Sequence, residues 1–202
     1  TDNSGATAEQ SFTISVANTN DAPVFTSTPT TSAIEDAGYS YTAAASDIDV
    51  GDVLSISGEY PSWLTLIDNG DGTADLSGTP TNDEVGSHSI VLTVTDLEGA
   101  TSEQSFTINV ANTNDAPVFT STPLTSAVED AEYSYTMIAE DVDEGDGLTY
   151  TAQTLPGWLN FDGTATISGT PTNDEVGDHS IVLMVTDNSG ATAEQSFTIS
   201  VA

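Results

Sequence analysis

Phe106, Ile108 and Val110 alternate with Thr107 and Asn109, and His88, Ile90, Leu92 and Val94 alternate with Ser89, Val91 and Thr93. A period of two places every second side chain on the same face, so these runs predict half-buried β-strands. Helical spacing is not sustained anywhere in the sequence. The runs are punctuated by turn-forming residues, at Asn69-Gly-Asp-Gly72, Asp162-Gly163, Gly78-Thr-Pro80 and Gly169-Thr-Pro171. Many short strands separated by such turns predict two all-β sandwiches in tandem.

The tandem arrangement follows from internal repetition. The segment Asn18-Thr-Asn-Asp-Ala-Pro-Val-Phe-Thr-Ser-Thr-Pro29 recurs 94 residues later as Asn112 to Pro123. The expected organisation is a terminal strand of a preceding repeat at 1–17, a first repeat at 18–111 and a second at 112–202, with 112–117 as linker. Trp63 and Trp158 are 95 residues apart, whereas the Gly-Thr-Pro turns that follow them are 91 apart, so the second repeat has lost four residues in the intervening hairpin. The two tryptophans read as core anchors, each with a hydrogen-bonding indole.

Residues 1–17 are identical to residues 186–202. The chain therefore opens on what looks like the last strand of a repeat whose body is absent, as in a piece excised from something longer. An unpaired strand seeks a sheet edge. Two expectations follow for Ser11 to Val16: it lies loosely along the first repeat, or it replaces the identical terminal strand in another copy's second repeat.

Charge sharpens the picture. The 202 residues include 32 Asp and Glu and no Lys or Arg, a formal net charge of -32, with two histidines as the only possible side-chain cations. The carboxylates must be met by hydrogen bonds, screening salt or bound metal ions, and self-repulsion otherwise penalises the compact state. Nucleic acid is excluded as a partner, because phosphate binding needs a basic surface, and the same repulsion opposes anionic membranes. No stretch is long and apolar enough for direct membrane insertion. The absence of cysteine rules out disulfides and thiolate chemistry; it fits a secreted bacterial protein stiffened by metal and a cytosolic one equally.

The acidic residues cluster in motifs that occur once per repeat. These are Glu35-Asp36 and Glu129-Asp130, Asp47-Ile-Asp49 and Asp141-Val-Asp143, Asn82-Asp83-Glu84 and Asn173-Asp174-Glu175, and Asp96 and Asp187 before the last hairpins. Between the repeats stands Asn112-Thr-Asn114-Asp115. Hard oxygen donors without His or Cys suit calcium, which takes six to eight of them. An EF-hand is excluded by spacing, since counting from Asp47 puts Asp52 where the loop needs Gly and Gly58 where it needs Glu.

The linker Asn112-x-Asn-Asp-Ala-Pro-Val-Phe119 resembles the cadherin inter-domain pattern Asp-x-Asn-Asp-Asn-x-Pro-x-Phe. Asp141 and Asp143 resemble the cadherin Asp-x-Asp motif, and Thr186-Asp187 followed by Gly190 resembles the motif before the last hairpin. The stretch from Trp63-Leu64 to Gly78-Thr-Pro80, ending in Val94-Thr-Asp96, is similar to cadherin-like, dystroglycan-type and Ig-type repeats of very large bacterial surface adhesins. The resemblance covers both repeats and implies two tandem Ig/cadherin-like Greek-key β-sandwiches. It also implies an inter-repeat calcium cluster drawing on Glu35, Asp83, Asn112, Asn114, Asp115, Asp141, Asp143 and Asp187. A second, partial cluster is implied at Asn18, Asn20, Asp21, Asp47, Asp49 and Asp96, and Glu129 and Asp174 are left without linker ligands. Asn112 stands where cadherins have Asp, and the Asn after Asp115 is missing, which implies fewer or weaker ions. The implied role is an extracellular, cell-surface or secreted adhesion or extender module, stiffened by calcium and capable of homophilic contact with another copy.

Catalysis is not expected. No Cys, Lys or Arg is available as nucleophile or anion clamp, and the acidic pairs occur in both repeats. His88 and His179 hold equivalent positions in phase with the inward residues, and read as packed or edge-capping. The alternative is a carbohydrate-binding module attached to a polysaccharide-active protein, with Tyr39, Tyr41, Tyr60, Tyr133, Tyr135, Tyr150 and the two tryptophans as stacking faces for a surface polysaccharide.

Overall fold

The computed structural model describes residues 1–202. The first repeat runs β1 (Val24–Phe25), β2 (Ser32–Ile34), β3 (Tyr39–Ser46), β4 (Ser55–Glu59), β5 (Leu64–Asp68), β6 (Thr73–Gly78), β7 (Gly86–Thr95) and β8 (Thr101–Ala111). These strands form two sheets, in the orders β1-β3-β6-β5 and β2-β8-β7-β4, a Greek-key sandwich. The second repeat runs β9 (Val118–Phe119), β10 (Ser126–Ala127), β11 (Tyr133–Thr136), β12 (Ala139–Glu140), β13 (Thr149–Thr154), β14 (Leu159–Phe161), β15 (Thr166–Gly169), β16 (Gly177–Thr186) and β17 (Thr192–Val201). Its four-stranded sheet is ordered β10-β17-β16-β13, facing the strands β11-β15-β14 and the pair β12-β9.

The period-two runs become the inner faces. Ile90, Leu92 and Val94 of β7 are buried while the residues between them stay partly accessible, and Ile181, Leu183 and Val185 repeat this on β16. Tyr39, Tyr41 and Ala43 of β3 face inward in the same way, paired with Gly78, Leu76 and Ala74 of β6. In the second repeat the matching strand is interrupted after Thr136. Met137 and Ile138 stand there in place of Ala43 and Ala44, and the Met137 side chain is buried. The Met137 N–H still donates to the Ala165 carbonyl at 2.8 Å, so the interruption does not orphan it.

Each tryptophan packs edge-on between a tyrosine and a histidine. Trp63 lies 5.9 Å from Tyr39 and 5.8 Å from His88, ring centre to ring centre. Trp158 lies 5.8 Å from both Tyr133 and His179. This matches the anchoring role expected for the tryptophans and the packed role expected for the histidines. The expected indole hydrogen bond is corrected: Nε1 of both Trp63 and Trp158 is shielded and has no partner. The ring edges satisfy aromatic packing instead, since each positive indole edge can meet a neighbouring π-face. The Trp158 backbone runs so close to Gly169 that a Cβ there would collide with its carbonyl oxygen, and Gly78 and Trp63 repeat the approach.

Residues 11–16 take no strand pairing, and Phe12, Ile14 and Val16 are exposed. In β17 the same three residues become Phe197, Ile199 and Val201, of which Ile199 is wholly buried. Identical sequence thus yields a strand in one place and an exposed segment without strand pairing in the other.

Two compact units are found: Thr1–Ala33, Ala37–Pro80 and Gly86–Val110 make up the first, and Ile34–Asp36, Thr81–Val85 and Ala111–Ala202 the second. The short stretches 34–36 and 81–85 carry Glu35 and Asp83 into the second unit.

Gly169→Ala is expected to destabilise the second repeat by about 1 to 3 kcal/mol or more, the penalty for overpacking. The urea midpoint, read from Trp158 fluorescence in a Trp63→Phe background, checks this. In the shortened hairpin, Asp162 Oδ1 accepts N–H bonds from Thr164, Ala165 and Thr166 at 2.8, 3.0 and 3.1 Å. These donors, led by Thr166, hold its carboxyl down from 3.8 to about 2. A depressed carboxylate stabilises the fold above its unfolded pKa and ceases to do so as pH falls through the folded one. The melting difference between wild type and Asp162→Asn, measured in chelator, is therefore expected to be largest above pH 3.8 and to vanish towards about 2.

Candidate metal centre

Glu35 directly follows β2, and its position is set by the backbone on both sides. Its N–H donates to the Ala111 carbonyl at 3.1 Å, and the next residue, Asp36, turns the chain with a left-handed φ of 56°. Asp is among the few non-glycine residues that adopt this conformation readily. Asp130 repeats the turn after Glu129, with φ of 58°. The Asn82–Glu84 segment forms a single 3-10 turn, capped by Glu84 Oε2, which accepts from both the N–H and the hydroxyl of Thr81 at 2.8 Å. Glu84 is thereby committed to the turn, leaving Asp83 exposed.

In the second unit the carboxylates converge on the linker. Glu35, Asp115 and Asp143 each place an oxygen within 4.8 Å of the others, and so do Asp141, Asp146 and Asp187. Glu35 is 2 % exposed, Asp143 7 % and Asp187 6 %. The linker supplies neutral donors to this concentration of charge. Thr113 N–H donates to Glu35 Oε1 at 2.7 Å, Asp115 N–H to Asp143 Oδ2 at 2.7 Å, Asn112 Nδ2 to Asp143 Oδ1 at 2.8 Å and Asn114 Nδ2 to Asp187 Oδ2 at 2.8 Å. Asn82, Asp83, Asn112, Asn114, Asp143 and Asp146 line one recess. Asp83 lies at this recess without joining either close carboxylate group.

The first unit repeats the arrangement. Asn18 Nδ2 donates to Asp49 Oδ1 at 2.7 Å, Asp21 N–H to Asp49 Oδ2 at 2.7 Å and Asn20 Nδ2 to Asp96 Oδ2 at 2.8 Å. The close groups here are Asp47, Asp49 and Asp52, and Asp52, Asp96 and Glu98. Sequence reasoning had missed Asp52, Asp146 and Glu98. The signal lies in the sequence, where both loops spell Asp-x-Asp-x-Gly-Asp.

Donors and neighbours push these groups apart. The Asn114 amide, followed by the N–H groups of Ala191 and Gly190, holds Asp187 below the ordinary aspartate range, and Asn20 does the same for Asp96. Asp146 is raised, by loss of solvent first and then by the charges of Asp187, Asp141 and Asp143. Asp52 is raised by loss of solvent and by Glu98, Asp47 and Asp96.

Supply does not meet demand everywhere. Glu35 Oε2 is shielded and accepts no hydrogen bond, as are Asp47 Oδ2, Asp52 Oδ2, Glu129 Oε2, Asp141 Oδ2 and Asp146 Oδ2. A buried carboxylate oxygen normally has a donor, a paired cation or a metal. All-oxygen donors of this kind fit a hard divalent cation.

The family model described as "Putative Ig domain" matches residues 22–111 and again 116–202. The chain belongs to this Ig-domain family. Among curated proteins, the Ig-domain pair is 33% identical over 169 residues to the serine-rich adhesin for platelets of Staphylococcus aureus strain MRSA252, covering 74% of this chain and 12% of that protein. The match to the adhesin of strain MSSA476 is the same over this chain and spans 7% of the relative. Among solved structures, human protocadherin-24 EC1-2 superposes with a TM-score of 0.56 at 19% identity, over 91% of this chain and 100% of that one. That likeness shows the cadherin fold. A single-residue variant of an endo-fucoidan hydrolase of glycoside hydrolase family 107 is 30% identical over 90% of this chain and 29% of its own, with a TM-score of 0.44. At that score the likeness says nothing about activity.

The tyrosines expected as stacking faces are mostly in the core. Tyr39, Tyr41, Tyr133 and Tyr135 are 4 to 5 % exposed. Tyr41 and Tyr135 hydroxyls donate to Gln104 and Gln195, and Tyr39 and Tyr133 hydroxyls to the Thr30 and Leu124 carbonyls.

Replacing Glu35 by Gln removes a buried charge and introduces a donor among acceptors. In metal-free protein Glu35→Gln is expected to raise stability by about 1 to 3 kcal/mol, checked by thermal unfolding in chelator.

Proposed function

We propose that the chain is a calcium-binding, non-enzymatic module of a bacterial cell-surface or secreted adhesin, acting as an adhesion or extender segment. The observation that carries this reading is Glu35 Oε2, a shielded carboxylate oxygen without a donor, grouped with Asp115 and Asp143 in a chain with no Lys or Arg. The adhesin relatives and the cadherin fold support it.

Calcium acts here through the chain's own oxygens. Glu35, Asp115 and Asp143 are the first ligands, with Asp141 and Asp187 beside them and Asn112 and Asn114 able to turn their amide oxygens inward. An ion so held ties together stretches distant in sequence, 34–36, 81–85 and 111–187, and this stiffens a tandem chain. Asn18, Asn20, Asp21, Asp47, Asp49 and Asp96 serve the first unit in the same way. Asp83 contributes from the mouth of its recess rather than from the centre. Extracellular calcium modules dissociate at about 0.1 to 1 mM, and a hundredfold excess of ligand stabilises the native state by about 2.7 kcal/mol.

Calcium at a hundredfold excess over its dissociation constant is therefore expected to raise the melting temperature by about 10 to 20 °C. In Glu35→Gln/Asp143→Asn the increment is expected to shrink sharply. Differential scanning calorimetry in calcium, in magnesium and in sodium chloride of equal ionic strength checks this. An equal rise in magnesium or plain salt would sink the calcium reading.

A further inference from the structure

We propose that the Asn112 amide is a built-in stand-in for the cation: without calcium it holds the Asp143 carboxylate that the ion would take, and calcium enters beside Glu35 by turning that amide over. Asn112 thereby sets how much calcium the position requires. The inference rests on the calcium reading above and concerns how that same site is regulated.

Glu35 and Asp143 bring four carboxylate oxygens together, and protein donors cover three of them. Thr113 N–H donates to Glu35 Oε1 and Asp115 N–H to Asp143 Oδ2, both at 2.7 Å. Two side-chain amides converge on Asp143 Oδ1, Asn112 Nδ2 at 2.8 Å and Asn82 Nδ2 at 3.4 Å. A carboxylate oxygen offers about two lone pairs, so both of those on Oδ1 are taken. Glu35 Oε2 alone is left bare, in a side chain 2 % exposed. Calcium takes six to eight oxygens, so an ion drawn to Glu35 Oε2 needs Asp143 as well. At that carboxylate it meets the Nδ2 edge of Asn112, which carries partial positive charge and no lone pair to give.

Of the groups that meet here, Asn112 is the one free to turn. Thr113 and Asp115 donate through peptide N–H groups, whose direction the chain fixes. Asp143 is held by its own loop, for its N–H donates to Asp141 Oδ1 at 3.0 Å, and beyond Gly145, with a φ of 91°, the Asp146 N–H returns to the Asp143 carbonyl at 3.3 Å. Asn112 is exposed and reaches Asp143 through a side-chain amide. A carboxylate only accepts, so the amide faces it with Nδ2; an ion takes only oxygen, so the same amide turned over faces it with Oδ1.

The first unit repeats the pair without a glutamate in the group. Asn18 Nδ2 donates to Asp49 Oδ1 and Asp21 N–H to Asp49 Oδ2, both at 2.7 Å, and the close carboxylates there are Asp47, Asp49 and Asp52. The amide contact therefore belongs to the linker and the Asp-x-Asp loop themselves and not to Glu35. An aspartate at position 112 would add charge to the ligand set and could not donate to Asp143, which raises affinity for the ion and leaves the carboxylates opposed in its absence.

Nitrogen–proton correlation NMR of the full chain, titrated with calcium chloride, reads the amide directly, its Nδ2 signals being assigned by their loss in Asn112→Asp. At saturation those protons are expected to exchange with water faster, having lost Asp143, while the Thr113 and Asp115 N–H groups stay protected. Isothermal titration, and melting in chelator, are run on wild type, Asn112→Asp and Thr113→Asp, the last adding the same charge while keeping the amide. Asn112→Asp is expected to bind calcium at least about tenfold more tightly than Thr113→Asp and to melt below it in chelator. If calcium binds while the Asn112 protons exchange as before, or if the two variants bind alike, the inference is overturned and the calcium reading stands. If wild type binds no calcium, the calcium reading fails and the inference falls with it. Both positions are exposed, and should Asn112→Asp still not fold, the Asn18 Nδ2 protons carry the same exchange test in the first unit, where unchanged exchange on calcium binding overturns the inference.

Discussion

With no Lys or Arg, this polypeptide has only two histidine side chains to set against 32 carboxylates, and the rest of the structure follows from that constraint. Neutral donors take the place of cations wherever the backbone can offer them. Asp187 collects two backbone N–H groups and an amide, and Asp162 collects three N–H groups at a hairpin tip. Such bonds to an ionised acceptor are strong enough to hold a carboxylate in place. They are also limited in number, because each N–H comes from a fixed point on the chain. Where the linker approaches β2 and the Asp-x-Asp loop, the supply of donors runs out before the supply of oxygens does.

That shortage explains the division of labour within each repeat. The sandwich cores are built from aliphatic and aromatic side chains and contain no acid. The acids are confined to strand ends and turns, where they could be solvated, yet Glu35, Asp96, Asp143 and Asp187 are buried there. Burying like charges together opposes folding unless something offsets it. The amides of Asn112 and Asn114, and of Asn18 and Asn20, occupy positions between carboxylates and do part of that work.

Much of this was legible in the sequence. The alternation of Ile90, Leu92 and Val94 gave β7 and its inward face, and the 94-residue spacing of the Asn-x-Asn-Asp segments gave two copies of one sandwich. Glu35, Asp115, Asp141, Asp143 and Asp187, and Asp47, Asp49 and Asp96, do converge, because turn residues in a Greek key gather at the ends of the sheets, while Asp83 and Asp21 join no close group. Three features escaped. Asp146 looked like an ordinary turn acid, since pattern alone cannot show that a positive-φ glycine returns it to Asp141. Buried indoles usually find a hydrogen-bond partner, whereas Nε1 of Trp63 and Trp158 has none and the rings pack edge-on against Tyr and His instead. The break after Thr136 depends on side-chain volume at Met137 and Ile138, which a two-letter pattern of polar and apolar residues does not record.

The identity of residues 1–17 with 186–202 has a consequence for how the chain finds its topology. Both segments fit the slot beside β16 with the same side chains, so contact energy cannot choose between them. Loop closure can. β17 follows β16 across the residues 187–191, whereas the first copy would have to close a loop of about 160 residues. With a closure term growing as three-halves RT times the logarithm of loop length, the nearer copy is favoured by about 3 kcal/mol, more than a hundredfold in occupancy. The fold of the second repeat is thus selected by chain entropy between two energetically degenerate strands, and the short turn at Asp187 to Ala191 decides which copy is structural.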